Sequence, residues 1–437
     1  MKTTIRKLIC ALLVVSVITL ALGPAAAAQK ANKQINTGLS DDVVLQWNAI
    51  AYNRMPGGSP FPTLRYMATI QLAVFEAVNS ITGKYEPYLG TISAPAGASP
   101  EAAAITAARD TLTAFFGQSM SLDELRDASL AAIPDGQAKT DGISVGHAAA
   151  AAMIANRTGD GSAPPMFYTP TSSDPYEWQV TPGPCAASGA GVFRHWPNVR
   201  TFGVESSSQF RAEPPPELGS GKYAQDFNEV QRVGAANASL VDRPADREDM
   251  ARLYAVTGVG SLNSLVQQIA RTRDDEITDT ARTLAVMNMA VADASISVFD
   301  SKYYYTTWRP VTAIPRGDED GNKWTTAGAF TPLIGTPCFP SYPSAHGANT
   351  NAALTVLERA YGRFGHSVTV SHPSGIRPDG SPIVLTYTDL DAIISDVSDA
   401  RVYGGIHFRF DQDAGERMGH DVGQYVYNNQ LQKMGDK

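Results

Sequence analysis

Cys338-Phe339-Pro340-Ser341-Tyr342-Pro343-Ser344-Ala345-His346-Gly347 is a proline-stiffened loop that runs straight into an apolar-periodic segment, Ala345 to Tyr361. Ala352, Leu354, Val356, Leu357 and Ala360 carry that periodicity, so the segment reads as a helix with Ser344 at its start. The amides of Ala345 and His346 then point out of the helix N-terminus, a ready anion site assisted by the helix dipole. Ser344 can cap the helix and also donate its hydroxyl.

Two other stretches answer this loop. Upstream, Lys302 is followed seven residues later by Arg309-Pro310; downstream, Arg401 is followed by Gly405, His407 and Asp411. An oxyanion with two or three negative charges needs fixed, matched donors. Arginine offers a planar fork and lysine a compact point charge. Lys302, Arg309 and Arg401 supply both kinds. His407 and Asp411 stand four residues apart, so on a helix they share a face and the carboxylate can orient the imidazole. Each residue alone has a blander reading. Lys302 can open an exposed aromatic segment, Tyr303-Tyr304-Tyr305; Arg309 can stack on Trp308; Asp411 can cap the last helix. It is the three stretches together that point to an oxyanion site.

Around them the chain reads as mainly α-helical. Helix starts are expected at Ser40, Ser99-Pro100-Glu101 and Ser121. Helical patterning also covers Thr63 to Ser80, Asp141 to Arg157, Lys222 to Gly234, Pro244 to Thr257, Ser261 to Arg273, Ile277 to Phe299, Asp389 to Asp399 and Asp413 to Gln432. Short loops between such segments are the pattern of helical bundles. Val368 to Tyr387, with Pro-Asp-Gly and Pro-Ser-Gly turns, allows one small β-hairpin. Gly159 to Gly221 has no period, but its aromatics (Phe167, Tyr168, Tyr176, Trp178, Phe193, Trp196) argue for an ordered wrap that rims the site. The expected organisation is a signal segment at 1–28 and one helical unit at 29–437, with N-terminal helices and the wrap to 221 and the oxyanion-site bundle from 222.

Composition narrows the function. The chain has 437 residues, 43% hydrophobic and 18% charged, a globular balance with a formal charge of −8. An acidic chain is a poor match for nucleic acid. Lys2, Arg6 and Lys7, then Leu8 to Leu22, then Ala25 to Ala28 form the three parts of a secretory signal. Cleavage after Ala28 removes three cations and no acids, taking −8 to −11. A soluble, secreted or periplasmic protein without a membrane span is expected. Cys185 and Cys338 would remain; they pair in an oxidising compartment or stay two buried thiols. No Gly-x-x-x-x-Gly-Lys or Gly-x-Gly-x-x-Gly phosphate loop is present, and His147, His195, His366, His372 and His420 lack zinc spacing. A hydrolase triad on Ser344 lacks the flanking glycines and leaves the cations without a role. His195 reads as structural, or as bordering the entrance.

The order and spacing of Lys302 with Arg309-Pro310, of Pro343-Ser344-Ala345-His346, and of Arg401 through Gly405 and His407 to Asp411 resemble the three-part signature of the superfamily that contains the vanadium-dependent haloperoxidases and the type 2 phosphatidic acid phosphatases. Trp308-Arg309-Pro310 and Phe339-Pro340-Ser341-Tyr342-Pro343-Ser344 look more like the haloperoxidase branch. The resemblance implies a mainly α-helical fold and a vanadate cofactor bonded through His407, the metal ligand. Lys302, Arg309, Ser344, the amide of Ala345 and Arg401 would hold the vanadate oxygens. His346 would be the acid/base residue, Lys302 would polarise peroxide, and Trp308 and Phe339 would line the halide side. Two departures stand out: Ala345 replaces the usual glycine, adding a methyl and disfavouring positive φ, and Ala400 replaces a frequent serine.

The implied substrates are hydrogen peroxide, a halide and an organic acceptor. Phosphate shares the shape and charge of vanadate, so a secreted acid phosphatase is the alternative. It would need no cofactor: His407 would attack a phosphate ester and His346 would protonate the leaving oxygen. A non-catalytic oxyanion-binding protein is the third reading.

Overall fold

In a computed structural model, the described residues are 40–55, 60–183, 185–186 and 189–435. The expected signal segment lies outside them. From Ser40 onward the chain groups into one compact unit. Among the described residues there are thirteen α-helices and one two-stranded sheet. In chain order the helices are α1 (Ser40–Asn53), α2 (Pro60–Thr82), α3 (Pro100–Phe116), α4 (Met120–Ala131), α5 (Gln137–Arg157), α6 (Gly221–Val233), α7 (Ala245–Val256), α8 (Val259–Ala270), α9 (Ile277–Tyr305), α10 (Pro310–Ala313), α11 (Ala345–Tyr361), α12 (Leu390–Tyr403) and α13 (Arg409–Asn429). Between α11 and α12, β1 (Phe364–Ile376) pairs antiparallel with β2 (Pro382–Asp389), Val370 opposite Leu385. The fold is mainly α, as the periodicity indicates.

α9 is the axis. Its middle is rich in alanine, valine and methionine and is buried on all sides, and it packs against α2, α11 and α13. It is long and apolar enough to cross a membrane, yet 94% of its apolar window is buried inside the protein, as in a core helix. It continues past the expected end at Phe299, and its last turn carries Lys302.

α11 and α13 approach closely because α13 presents Gly415, Gly419 and Gly423 at four-residue spacing. A Cβ on Gly419 would lie 2.1 Å from the Ala348 carbonyl oxygen, and one on Gly415 2.4 Å from that of Ser344. This glycine face brings the N-termini of both helices, and so Ser344 and Asp411, side by side; the Ser344 amide donates to the Asp411 carbonyl at 2.8 Å.

Local capping explains where helices begin. Ser99 accepts the Ala102 amide at 3.1 Å, as its sequence context predicts. The fourth helix starts at Met120, one residue before the expected Ser121, and the hydroxyls of Ser119 and Ser121 accept from Arg54 at 3.1 and 2.7 Å instead of capping. α13 starts four residues before Asp413. Asp411 Oδ2 accepts the Phe408 amide at 3.1 Å and satisfies a donor that the helix start leaves orphaned.

The described residues between 158 and 220 are held mainly by polar anchors. Asp293, fully buried on α9, accepts the amides of Phe202, Gly203 and Val204 at 2.7, 2.6 and 2.9 Å. Asp160 is held by Arg65 at 2.7 Å and Arg157 at 2.8 Å. Cys185 and Cys338 are joined by a disulfide, and the Val192 amide donates to the Cys338 carbonyl at 2.8 Å. The wrap therefore braces the Cys338 loop from behind.

Candidate active site

The last turn of α9, the turn before α10, the Cys338 loop and the α12–α13 junction meet at one buried place. Lys302, Arg309 and Ser344 are fully buried; Arg401 and His407 are each 3% exposed. The turn that delivers His407 needs Gly405. Its φ is 78°, and a Cβ there would lie 2.3 Å from the Gly234 carbonyl oxygen.

His407 is the best-defined group. Its Nδ1 lies 2.8 Å from Asp411 Oδ2, which also accepts from Ser341 Oγ at 2.5 Å. Its Nε2 lies 3.0 Å from Arg309 Nη1. A carboxylate on one side and a guanidinium donor on the other fix the tautomer: Nδ1 carries the proton and Nε2 keeps its lone pair. Burial, then Arg309, Lys302, Arg401 and His346, push the His407 pKa well below its usual value, so the ring is neutral. Burial raises Asp411 to about 6 against its hydrogen bond from Ser341 and the nearby cations. Ser341 lies inside the organising loop but carries no spacing signal, and the sequence reading missed it.

The cations divide into two kinds. Lys302 donates to the carbonyls of Pro340, Ser341 and Pro343 at 2.9, 2.7 and 2.6 Å. Burial and Arg309 push its pKa well down, but three acceptors require all three N–H groups of the ammonium. The sequence reading has Lys302 grip an oxyanion; in the structure its donors all go to the loop. Arg309 and Arg401 keep free donors. Arg309 gives Nε to the Phe339 carbonyl at 3.0 Å and Nη1 to that of Ile406 at 2.8 Å, while its buried Nη2 has no partner among the described residues. Arg401 gives Nη1 to the Tyr254 carbonyl at 3.0 Å, and its buried Nε has no partner among the described residues. Burial lowers Arg309 to about 9 and Arg401 to about 10.

Ser344 accepts the Gly347 amide at 3.3 Å as the cap of α11, leaving its own O–H to donate. Ala345 is the first residue of that helix and takes no positive φ, so its methyl brings no backbone strain. His346, half-buried, follows it. Burial and the charges of Arg401, Arg309 and Lys302 hold its pKa well below the usual range against a bond to the Tyr254 backbone.

A cavity of 510 Å³ lies against this cup, and Ala345, His346, Arg401, His407 and Phe339 are in its wall. Three expectations change here. Trp308 is not in that wall; it is fully buried in a second aromatic core with Tyr223 and Phe408. Arg309 lies over the Phe339 ring, 5.2 Å from its centroid, and it is Arg316 that covers Trp308. No described residue of the wrap lines the cavity, and His195 is buried, accepting the Met166 amide at 3.1 Å.

Comparison with known proteins follows the same lines. Residues 282–436 match the family described as the VCPO second helical-bundle domain. The vanadium chloroperoxidase of Curvularia inaequalis is 27% identical over 190 residues, 36% of this chain and 31% of that protein, so the match spans under a third of the relative's length. Among solved structures, the first bacterial vanadium-dependent iodoperoxidase superposes with a TM-score of 0.72 at 24% identity, over 92% of this chain and 97% of that one. A holo-type bacterial vanadium-dependent chloroperoxidase gives 0.66 at 17%, over 85% and 91%. The motif-bearing residues 282–436 are thus similar to the second helical-bundle domain of the vanadium chloroperoxidases, and the fold is the one seen in the bacterial vanadium-dependent haloperoxidases.

Proposed function

We propose that this chain is an exported vanadate-dependent haloperoxidase that uses hydrogen peroxide to oxidise a halide to hypohalous acid. The observation that carries the reading is the pair of orphaned, buried guanidinium donors, Arg309 Nη2 and Arg401 Nε, beside a neutral His407. Buried cationic donors without acceptors fit an oxyanion. Arg309, Arg401, the Ser344 hydroxyl and the first-turn amides of α11 would hold the vanadate oxygens, and His407 Nε2 its metal. Bound vanadate would supply a Lewis-acidic centre that activates peroxide.

The chain's own residues do the rest. Asp411 holds the His407 tautomer, and Arg309 Nη1 stays anchored on Ile406 when it releases Nε2. His346, kept neutral by burial and by the cations, is poised to take the proton that peroxide sheds. Lys302 fixes the loop that carries Ser344 and contributes its charge from behind it. The Phe339 ring, with Lys302 Nζ and the Arg309 guanidinium each 5.2 Å from its centroid, shields both charges from water, which strengthens charge interactions in the cup. The Cys185–Cys338 bond supports export to an oxidising compartment.

The acid phosphatase reading keeps one specific support. His407 presents an oriented, neutral nucleophile with His346 nearby. Its weakness is His346, whose lowered pKa suits a base better than an acid near neutrality. The test loads the protein with vanadate and follows dye bromination with peroxide and bromide, beside hydrolysis of a chromogenic phosphate ester without vanadate. Bromination is expected, and His346→Ala should lower it by ~10²–10⁴. Brisk ester hydrolysis abolished by His407→Ala, with no bromination, would refute the proposal. Binding of phosphate with neither activity would leave the oxyanion-binding reading.

A further inference from the structure

The cavity is larger than this chemistry requires. Its 510 Å³ is about seventeen times the roughly 30 Å³ that one water occupies in the liquid. An oxyanion, a peroxide and a halide fill only a few such volumes, whereas roughly 150 Å³ suffices for a benzene-sized ring. The walls away from the cup are apolar: Phe61, Leu262, Leu265 and Val370, with Phe339 at the cup's edge. Four polar side chains interrupt them, Thr257, Ser261, Asn349 and Thr350, and Asn349 is the one amide among these four. Asn349 lies three residues after His346, on the same face of α11, and both line the cavity. Ser295 Oγ donates to Asn349 Oδ1 at 2.9 Å. That bond fixes the amide, and among the described residues its Nδ2 has no partner. Asn349 itself is half-buried.

We propose that this cavity binds an electron-rich aromatic acceptor carrying a phenolic oxygen. The ring lies between the aliphatic and aromatic walls, and the oxygen rests on Asn349 Nδ2 beside His346. The inference rests on the haloperoxidase reading, which supplies hypohalous acid from peroxide, halide and a proton, with water as the other product. The aromatic carbon then forms a bond to halogen, the hypohalite oxygen leaves as water, and the ring proton is released. A pinned oxygen presents one edge of the ring to the cup, so halogenation is position-selective and not that of free hypohalous acid.

The experiment uses 1-naphthol, which halogenates at two ring positions, ortho and para to oxygen. Calorimetry on protein without vanadate should show one bound naphthol. Asn349→Leu should weaken it about three- to tenfold, and Val370→Trp, or the milder Leu265→Phe, should weaken it further, with circular dichroism confirming the fold. In the vanadate-loaded enzyme with peroxide and iodide, the ortho-to-para ratio should differ from that of reagent hypoiodite. No binding, binding unchanged in all three variants, or a ratio equal to the reagent's would overturn the inference. Triiodide formation without naphthol is measured alongside. Its absence would sink the haloperoxidase reading alone, while calorimetry still decides the cavity.

Discussion

Replacing Lys302 by methionine tests whether its ammonium serves the loop or an anion, because the two roles give stability changes of opposite sign. A buried ammonium that waits for an anion is a desolvated charge, and removing it stabilises the protein by relieving that cost. In the structure, however, Nζ meets three loop carbonyls at 2.6 to 2.9 Å. Methionine fills similar space and donates nothing. Three buried carbonyls lose their partner at roughly 1–3 kcal/mol each, about 3–9 kcal/mol in sum. Relief of the ammonium's desolvation, several kcal/mol, offsets part of this. We expect a net destabilisation of about 3 kcal/mol, read as a lower urea midpoint at unchanged slope in buffer free of phosphate and vanadate. Because Pro343 O precedes Ser344, the variant should also bind phosphate more weakly although Arg309 and Arg401 remain. A variant as stable as the parent, or more so, would show that Lys302 does not clamp this loop.

Two further outcomes follow from the site and its support. His346 is neutral because burial and three cations depress its pKa; an oxyanion that offsets those cations must raise it. Burial, the largest cause, remains, so His346 stays neutral near neutrality, but in mildly acid buffer phosphate binding should take up more protons in the parent than in His346→Gln, seen in how the binding enthalpy changes with buffer ionisation enthalpy. Equal uptake in the two proteins would reverse the assignment. Gly419→Ala puts a methyl 2.1 Å from the Ala348 carbonyl oxygen; prying α11 from α13 should cost at least about 2 kcal/mol and weaken phosphate binding, whereas a neutral substitution would mean the two helices do not need that contact.

Sequence patterning carried far in the helices and stopped where contacts are made by carbonyls. The start of α11 was legible because Ser344 and the apolar period after it are local signals, and α11 runs from Ala345 to Tyr361 as expected. The early start of α13 was not, since Asp411 caps from inside the helix while also binding His407 and Ser341. The motif residues were named, but not their division of labour. Lys302 and the two arginines look alike in a sequence; only the positions of Pro340, Ser341 and Pro343 carbonyls separate the clamp from the donors. Trp308 was misplaced for a related reason. Adjacency to Arg309 says nothing about which way an indole turns, and here it packs toward Tyr223 and Phe408. The cavity depends on α2, α8 and the hairpin, three elements with no motif.

The charge balance of the cup gives the strongest physical reason to look for an anion there. Asp411 is the buried carboxylate bonded to His407, and its Oδ2 is committed to His407, Ser341 and the Phe408 amide. Its field reaches Lys302 and Arg309, yet Arg401 is lowered by burial with no opposing carboxylate. A guanidinium 3% exposed, held by one carbonyl and facing a cavity, is costly unless something negative completes it. A structural ion pair would have brought its acid along. Here Arg309 and Arg401 both act on the same neutral imidazole while Arg309 Nη2 and Arg401 Nε lack partners among the described residues, and both guanidiniums stand on helices and stiff turns, an arrangement that an anion would complete.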